Sequence, residues 1–523
     1  NGQTNYSFSA SMNNQAGVIK RSNIDRYNIR GNIESEIVKT IKAGANINYA
    51  KNISNGASST YYYNIASYRP DIPVFDKNGK YATTIDSVQG NPVARLLYTD
   101  KLTGDNLMAS LFAEARPFEF LRLRSTISYN QTDNITVNYT PGFDPFEIKN
   151  GRKGSRKDNN TKFSSLIFDN TATFDKFFGK HYLNAMVGAS YTSDKSSFTN
   201  LESVNFPDDF VLNNLGSAGS KQGYGSGGTV SGLESYFARA NYNYNGKYYL
   251  TFTARSDKST KFGPNNQWGF FPSGAFSWRI SEEPFLKDYN WISDLKFRAS
   301  TGKTGAANLG DFLYRTFFSS TGSSTSFYNG QNGVILNGVP NPSIRWESTT
   351  QTDMGLDFAF FNNKLRGAVD VYRKYTKDLL LNVAIPFETG ASTQTINVGD
   401  ISNKGFEFVI GADIVNHGKF KYTTDINFNM NVGRLEKLNS GKATALNDFK
   451  EGDVLGSVFG YRVAGIFQTQ DEINALNQAS PTKLYQAAKT APGDFKFVDV
   501  NGDGRISDSD RVKLGNAEPK FFG

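Results

Sequence analysis

Tyr236, Ala238, Ala240, Tyr242 and Tyr244 occupy alternate positions, with Arg239, Asn241 and Asn243 between them. Asn245-Gly246 interrupts the run, and Tyr248, Leu250, Phe252 and Ala254 resume it, interleaved with Thr251, Thr253 and Arg255. A period of two puts one file of side chains on each face of a strand. Asn-Gly is the residue pair that a two-residue hairpin turn demands. The same unit recurs from Thr352 to Tyr372 across Asn362-Asn363, and from Phe406 to Met430 across Asn416-His417-Gly418. A much longer polar loop follows each returning strand. Tight turns at one end and long loops at the other describe an all-β, antiparallel transmembrane β-barrel of the outer-membrane kind, with short periplasmic turns and long extracellular loops.

Roughly fifteen segments carry this signal, near 4–12, 26–34, 37–50, 106–116, 119–130, 163–174, 181–194, 233–244, 248–256, 269–281, 293–302, 349–361, 363–376, 401–415 and 418–432. Most are near the ten residues that a tilted bilayer-crossing strand needs, longer than the five or six of a soluble sandwich. Tyr27, Tyr49, Tyr129, Tyr191, Tyr244 and Phe360 fall at strand ends, where aromatic girdles belong. Arg122, Arg124, Lys296, Arg298, Asp353, Asp357, Lys421 and Asp425 fall on the polar files and are expected to line the interior or an interface with a plug. Long loops are expected at about 51–105, 131–162, 195–232, 303–348, 377–400 and 433–523, the last with a short capped helix at Gln470–Leu476. Both ends of the chain, at Tyr6-Phe8-Ala10-Met12 and at Pro519–Gly523, read as cuts inside a larger barrel, making residues 1–523 a partial barrel domain.

Composition agrees. Aromatic residues are 14% of the chain while mean hydropathy is only -0.48. A helical membrane protein needs runs of about 20 apolar residues, and there are none. There is no cysteine, so neither disulfides nor thiolate metal sites form, and two histidines, His181 and His417, do not make a multi-histidine centre. The net charge of +8 does not signal nucleic acid, because Lys and Arg scatter along polar files instead of clustering.

The sharpest local motif is Asp499 to Asp510. Asp499, Asn501 and Asp503 sit at loop positions 1, 3 and 5, Gly504 at 6, Ile506 at 8 and Asp510 at 12. That is the calcium-loop spacing, with Asp in place of the usual bidentate Glu. Asp499, Asn501, Asp503, the Arg505 carbonyl and Asp510 are the expected Ca²⁺ ligands, with Ser507 reaching through a water. The alternative is an acidic Asx-turn loop without metal. No catalytic signature accompanies it: there is no G-x-S-x-G elbow, and Gly223–Gly228 lacks the lysine of a phosphate cradle. The chain reads as a non-enzyme. Aromatic islands at Tyr61-Tyr62-Tyr63, Tyr68-Arg69-Pro70 and Trp268, Phe270 and Phe271 could stack on sugars or peptide side chains, or pack the loops.

Several ordered segments resemble the starch-utilisation-type outer-membrane transporters of Bacteroidota, the TonB-linked SusC/RagA class. They are Arg255-Ser256-Asp257, Phe271 to Arg279, Leu295 to Ser300 with Gly302 to Gly305, Asn341-Pro342 to Trp346-Glu347, Asp370-Val371-Tyr372, Asn397-Val398-Gly399 to Glu407, Ala491 to Asp494, and the closing Asp499–Asp510 loop. The resemblance implies a 22-stranded barrel, a plug domain, coupling through TonB, and a SusD-like surface lipoprotein acting as a lid. It also implies uptake of oligosaccharides or peptides and a dimer of transporter–lid pairs. Plug and TonB-contacting segment would lie before Asn1, and the last strands after Gly523. The rival reading is a barrel recruited as a structural anchor in a secretion or adhesion assembly.

Overall fold

The computed structural model describes residues 3–56, 65–83, 90–320, 327–328, 331–336, 338–438, 449–519 and 521–522. Fifteen long strands carry the fold. They are β1 (Thr4–Ala16), β2 (Asn23–Val38), β3 (Ile41–Asn55), β4 (Thr99–Phe118), β5 (Leu121–Thr140), β6 (Ser155–Phe178), β7 (His181–Val204) and β8 (Ser220–Tyr244). Then come β9 (Tyr248–Ser259), β10 (Trp268–Arg279), β11 (Ile292–Ala306), β12 (Glu347–Phe360), β13 (Leu365–Ala384), β14 (Thr393–His417) and β15 (Phe420–Leu438). The chain divides into two compact units. One comprises residues 1–176, 184–238 and 257–260, the other 177–183, 239–256 and 261–523.

In the first unit β1 to β6 pair antiparallel in chain order, and the register keeps like faces together. Ser9, Arg30, Asn48, Met108, Asn130 and Ser165 form one row across the six strands. One residue along, Phe8, Gly31, Ile47, Ala109, Tyr129 and Leu166 form the next. The second unit repeats the device. Arg298, Gly355, Asp370, Glu407 and Asn429 make a polar row, and Phe297, Leu356, Val369, Phe408 and Phe428 an apolar one.

The apolar face is uncovered. Phe8 is 73% exposed, Leu111 59% and Ile426 56%. A soluble protein does not leave so much contiguous apolar surface in water, and lipid is the medium that suits it. Small packed cores sit instead at the loop ends of the strands. In the first unit Tyr139 meets Phe206 edge-on at 5.4 Å. In the second, buried Val383 and Val398 pack with Leu381, Ile385, Ile396 and Leu438.

Turn chemistry follows the sequence. Asn245 and Gly246 adopt φ of 53° and 69°, the left-handed pair of a type I′ turn, and Asn362 and Asn363 adopt 56° and 62°. Strand number and placement match expectation, but strand length does not. β4 and β5 run 20 residues, β6 and β7 24, and β8 and β14 25. The loops shrink accordingly, and the one expected at 377–400 is only 385–392. Alternation fades in the extensions because both faces there are polar, so the pattern marks only the bilayer-crossing part of each strand. One turn-end connection is also long: 280–291, between β10 and β11, is pinned where Glu283 receives bonds from Lys247 Nζ at 3.2 Å and Trp278 Nε1 at 3.2 Å.

Beyond β15 the chain forms short hairpins, Ser457–Tyr461 with Arg511–Asn516 and Val463–Ile466 with Phe495–Phe497. Helix α2 spans Gln470–Ala479 (α1 is the short Pro145–Lys149), and the Thr469 hydroxyl caps it by accepting from the Glu472 N–H. The expected helix is therefore present and one turn longer. Phe521–Phe522 pairs with Asn429 and Met430 of β15.

Candidate functional site

The polar face of the second unit is a ladder of clamped charges. Arg298 Nε and Nη2 bond Asp357 at 2.8 and 2.7 Å, and Nη2 reaches Asp370 Oδ1 at 3.1 Å. Two parallel N–H···O bonds to one carboxylate fix the guanidinium in plane. Arg366 joins Asp413 at 3.1 Å and Asp425 at 3.4 Å. Gly355 leaves the space these groups use: a Cβ there would lie 2.9 Å from Arg298 Nη2. In the first unit buried Glu114 accepts from Arg116 Nε at 2.9 Å and Arg124 Nη1 at 3.4 Å, and the Arg124 guanidinium lies 4.0 Å over the Phe112 ring. Arg122, Arg124, Lys296, Arg298, Asp353, Asp357, Lys421 and Asp425 all lie on the polar face of their strands, opposite the apolar files.

Aromatic residues bracket the apolar band. Toward the tight turns, Phe118 stacks on Phe120 at 5.3 Å, and Phe120 tilts against Phe174 at 5.4 Å. In the second unit Trp291 meets Phe360 at 5.3 Å and Tyr244 stacks on Tyr248 at 6.3 Å. Toward the loops, the Tyr49 hydroxyl bonds Asp105, and Tyr129 donates to Gln131 at 2.7 Å, which donates to Asp133 at 2.6 Å. The outward file thus turns from apolar to charged at these tyrosines. Leu121 to Tyr129 is about 27 Å of strand at about 3.4 Å per residue, which when tilted covers most of an apolar band about 25 Å tall.

At the loop end of β4, β5 and β6 a cavity of about 560 Å³ is lined by Arg95, Tyr98, Asp100, Asp144, Glu147 and Glu202 among others. Asp144 caps α1 through bonds from the Phe146 and Glu147 N–H groups and holds the Tyr98 hydroxyl. Burial, the Asp144 charge and this bond push the Tyr98 phenol up. Burial also pushes the Glu147 carboxyl above its ordinary range, against a bond from Ser155 Oγ at 3.0 Å. No sequence signal announced this site, since Arg95 and Glu147 come from two separate connections and Glu202 from the loop end of β7. The Asp-Pro start of α1 was its one local mark.

In the Asp499–Asp510 loop the carboxylates serve the loop's own backbone. Asp499 accepts from the Gly502 and Gly504 N–H groups at 2.7 and 2.8 Å. Asn501 accepts from the Asp503 N–H at 2.9 Å, and Asp503 from the Arg505 N–H at 3.0 Å. Asp510 is fully buried, with Oδ1 on the Val500 N–H at 2.9 Å and Oδ2 on the Ser507 N–H at 2.8 Å. Both Asp510 oxygens thus accept from the loop's own backbone in this conformation. Among the described residues no group of three acidic or histidine side chains is set to hold a metal ion.

Of the aromatic islands, Tyr61-Tyr62-Tyr63 lie outside the described residues. Tyr68 donates to the Ala82 carbonyl at 2.9 Å, and Phe271 is buried against Trp346 at 5.5 Å, so both pack loops. Trp268 and Phe270 are half exposed.

Residues 44–472 match the family model described as TonB dependent receptor-like, beta-barrel. The chain belongs to the TonB-dependent receptor β-barrel family. It is similar to TonB-dependent receptor P3 of Formosa agariphila, at 30% identity over 99% of this chain and 53% of that protein. It is also similar to TonB-dependent receptor SusC of Bacteroides thetaiotaomicron, at 35% identity over 54% of this chain and 28% of that protein. The chain spans about half the length of the first of these relatives. Its fold is that of a solved RagAB peptide importer in its closed-closed state, with a TM-score of 0.76, 23% identity, and coverage of 99% of this chain and 58% of that one. The expected SusC/RagA resemblance, the transmembrane barrel and the outer-membrane location therefore stand, and the family is one of receptors and transporters, not enzymes.

In this TonB-dependent receptor barrel the segments that carried the resemblance act as structural clamps. The Asn397 side chain accepts from the Arg345 N–H at 3.0 Å and donates to the Arg345 carbonyl at 2.9 Å, imitating a strand partner. Trp346 Nε1 bonds the Gln267 carbonyl at 3.0 Å, and its ring packs on fully buried Phe262 at 4.9 Å. The Asn341–Glu347 and Asn397–Gly399 motifs thus tie the approach to β12 onto β14.

Proposed function

We propose that this chain is the barrel wall of a TonB-coupled outer-membrane importer of oligosaccharides or peptides, working with a SusD-like surface lipoprotein. The observation that supports it best is the two-faced sheet. Its apolar face suits lipid, and its polar face carries fixed charges such as the Arg298–Asp357 clamp, as the wall of a wetted passage requires. Fixed, mutually paired charges offer solutes and a plug a polar surface without a net field that would trap them. The chain spans about half the length of the first relative, and the proposal assigns plug and TonB contact to segments other than this one.

The test is purification of the intact native protein from outer membranes under mild detergent, with identification of what comes with it. A surface lipoprotein together with bound oligosaccharide or peptide is the expected result. Secretion or adhesion components without a lipoprotein would replace transport with a scaffold role. A dimer of transporter–lid pairs would show in the mass of the same complex.

We also propose a calcium ion at Asp499, Asn501, Asp503, the Arg505 carbonyl and Asp510. The ion would take Asp510 lone pairs beside its backbone donors or in their place. A fall in thermal stability on adding chelator would establish it, and an unchanged transition would leave the metal-free Asx turn.

A further inference from the structure

We propose that the cavity at the loop end of β4, β5 and β6 binds a short peptide, with the peptide ammonium at Glu147 and its carboxylate toward Arg95. The inference rests on the importer reading and narrows its solute class.

Two atoms carry it. Glu147 is 3% exposed, and among the described residues its Oε2 is buried with no hydrogen-bond partner. Arg95 Nε is likewise buried without one. Buried polar atoms in folded proteins are almost always satisfied, and a lone buried charge is costly. These two line one cavity of about 560 Å³, a volume typical of small-molecule sites. One atom calls for a donor and the other for an acceptor, and a single ligand carrying both groups would satisfy them.

Charge decides which ligand. Asp100, Asp144, Glu147 and Glu202 outnumber Arg95 and Arg152 around this cavity. An adjoining cavity of about 220 Å³ shares Arg95, Tyr98 and Asp100 and adds Lys20 and Arg21. The two neighbouring cavities together are thus acidic on one side and basic on the other. A zwitterion laid along them pairs both ends, and ammonium–carboxylate bonds are stronger than neutral ones. A neutral sugar would satisfy the hydrogen bonds but add no positive charge to that of Arg152 beside the buried Glu147. A purely anionic ligand would meet the acidic end. The setting suits a solute path: Asp100 and Asn138 lie on the polar face, joined by a bond of 3.0 Å, at the loop end of the strands.

The test uses the full-length protein with its native partners. Calorimetry compares trialanine, N-acetyl-trialanine, trialanine amide and maltotriose, on the native protein and on Glu147→Gln. Binding of trialanine that N-acetylation and Glu147→Gln each weaken about tenfold is the expected result, the loss of one charged hydrogen bond. The acetylated series needs no variant, so it reads the ammonium contact even where Glu147→Gln misfolds. Maltotriose binding alone, trialanine binding indifferent to acetylation, or no heat with any probe overturns the proposal, the last meaning that water fills the cleft. Peptide uptake by cells is measured in parallel. Uptake that persists unchanged with Glu147→Gln removes this site and leaves the importer, whereas a native protein that takes up no solute removes the importer reading.

Discussion

Single residues in this chain act mainly by what they leave room for and what they hold. Gly367 on β13 sits on the apolar face beneath Phe358: a Cβ there would lie 2.6 Å from the Phe358 ring and closer still to the Val409 carbonyl oxygen. The carbonyl belongs to a paired strand and cannot swing aside. Gly367→Ala should therefore destabilise the barrel by about 1–3 kcal/mol, the usual cost of overpacking, seen as a lower temperature for the heat-induced mobility shift of the folded barrel on gels. Asp510 acts by holding. Burial alone would raise its carboxyl, but N–H groups of Ser507, Val500 and Asn501 and the Ser507 hydroxyl outweigh burial, and its pKa falls below the ordinary 3.8. The sign follows: a depressed carboxylate stabilises fully above its unfolded value, and that stabilisation is lost as pH drops through the folded one. Loop 499–510 should stay protected from amide exchange at pH 5 and open below roughly pH 3.8. Asp510→Asn should open it at neutral pH, since an amide NH₂ would face backbone N–H donors at a local cost of about 1–3 kcal/mol.

A strand here is two strands end to end. Its lower part separates apolar from polar files and spans the bilayer, while its upper part is polar on both faces. Leu111 and Ser110 of β4 are neighbours in the lower part and face opposite ways. Leu111→Arg should cost about 2–4 kcal/mol by placing a charge near the bilayer midplane. Ser110→Arg, on the wetted face, should cost well under 1 kcal/mol, as surface changes do. Urea titration of the refolded barrel in lipid vesicles measures both, and equal costs would show that the faces are assigned wrongly. The same division explains what the sequence disclosed. Tyr129 and the residues before it were legible because lipid imposes period two. Gln131 to Thr140 of the same strand were not, because water on both sides imposes no pattern. The fixed charges were legible by face but not by pairing, since Arg298 meets Asp370 from a strand 72 residues away. The cleft at Arg95 and Glu147 was not legible at all, because loops bring together residues that no periodicity links.

At the scale of the molecule, tight turns gather at one end of the strands in each unit, with 280–291 a long connection among them, and the loops gather at the other end; an outer membrane gives that asymmetry a direction. Long connections on the cell surface and short ones in the periplasm follow from the order in which hairpins cross the bilayer. These 523 residues hold no cysteine, so a thiol introduced here is the one thiol of this segment. Val211, 77% exposed in the connection between β7 and β8, should as Val211→Cys react in intact cells with a maleimide too large to pass porins. Glu119, in the two-residue turn between β4 and β5, should as Glu119→Cys react only after the outer membrane is permeabilised. The reverse pattern would put the Glu147 cleft on the periplasmic side, where it could not be the first surface a solute meets, and the importer reading would lose its entrance. Labelling of both sites in intact cells would mean that the strands do not cross the membrane, and the exposed apolar face would need a different cover.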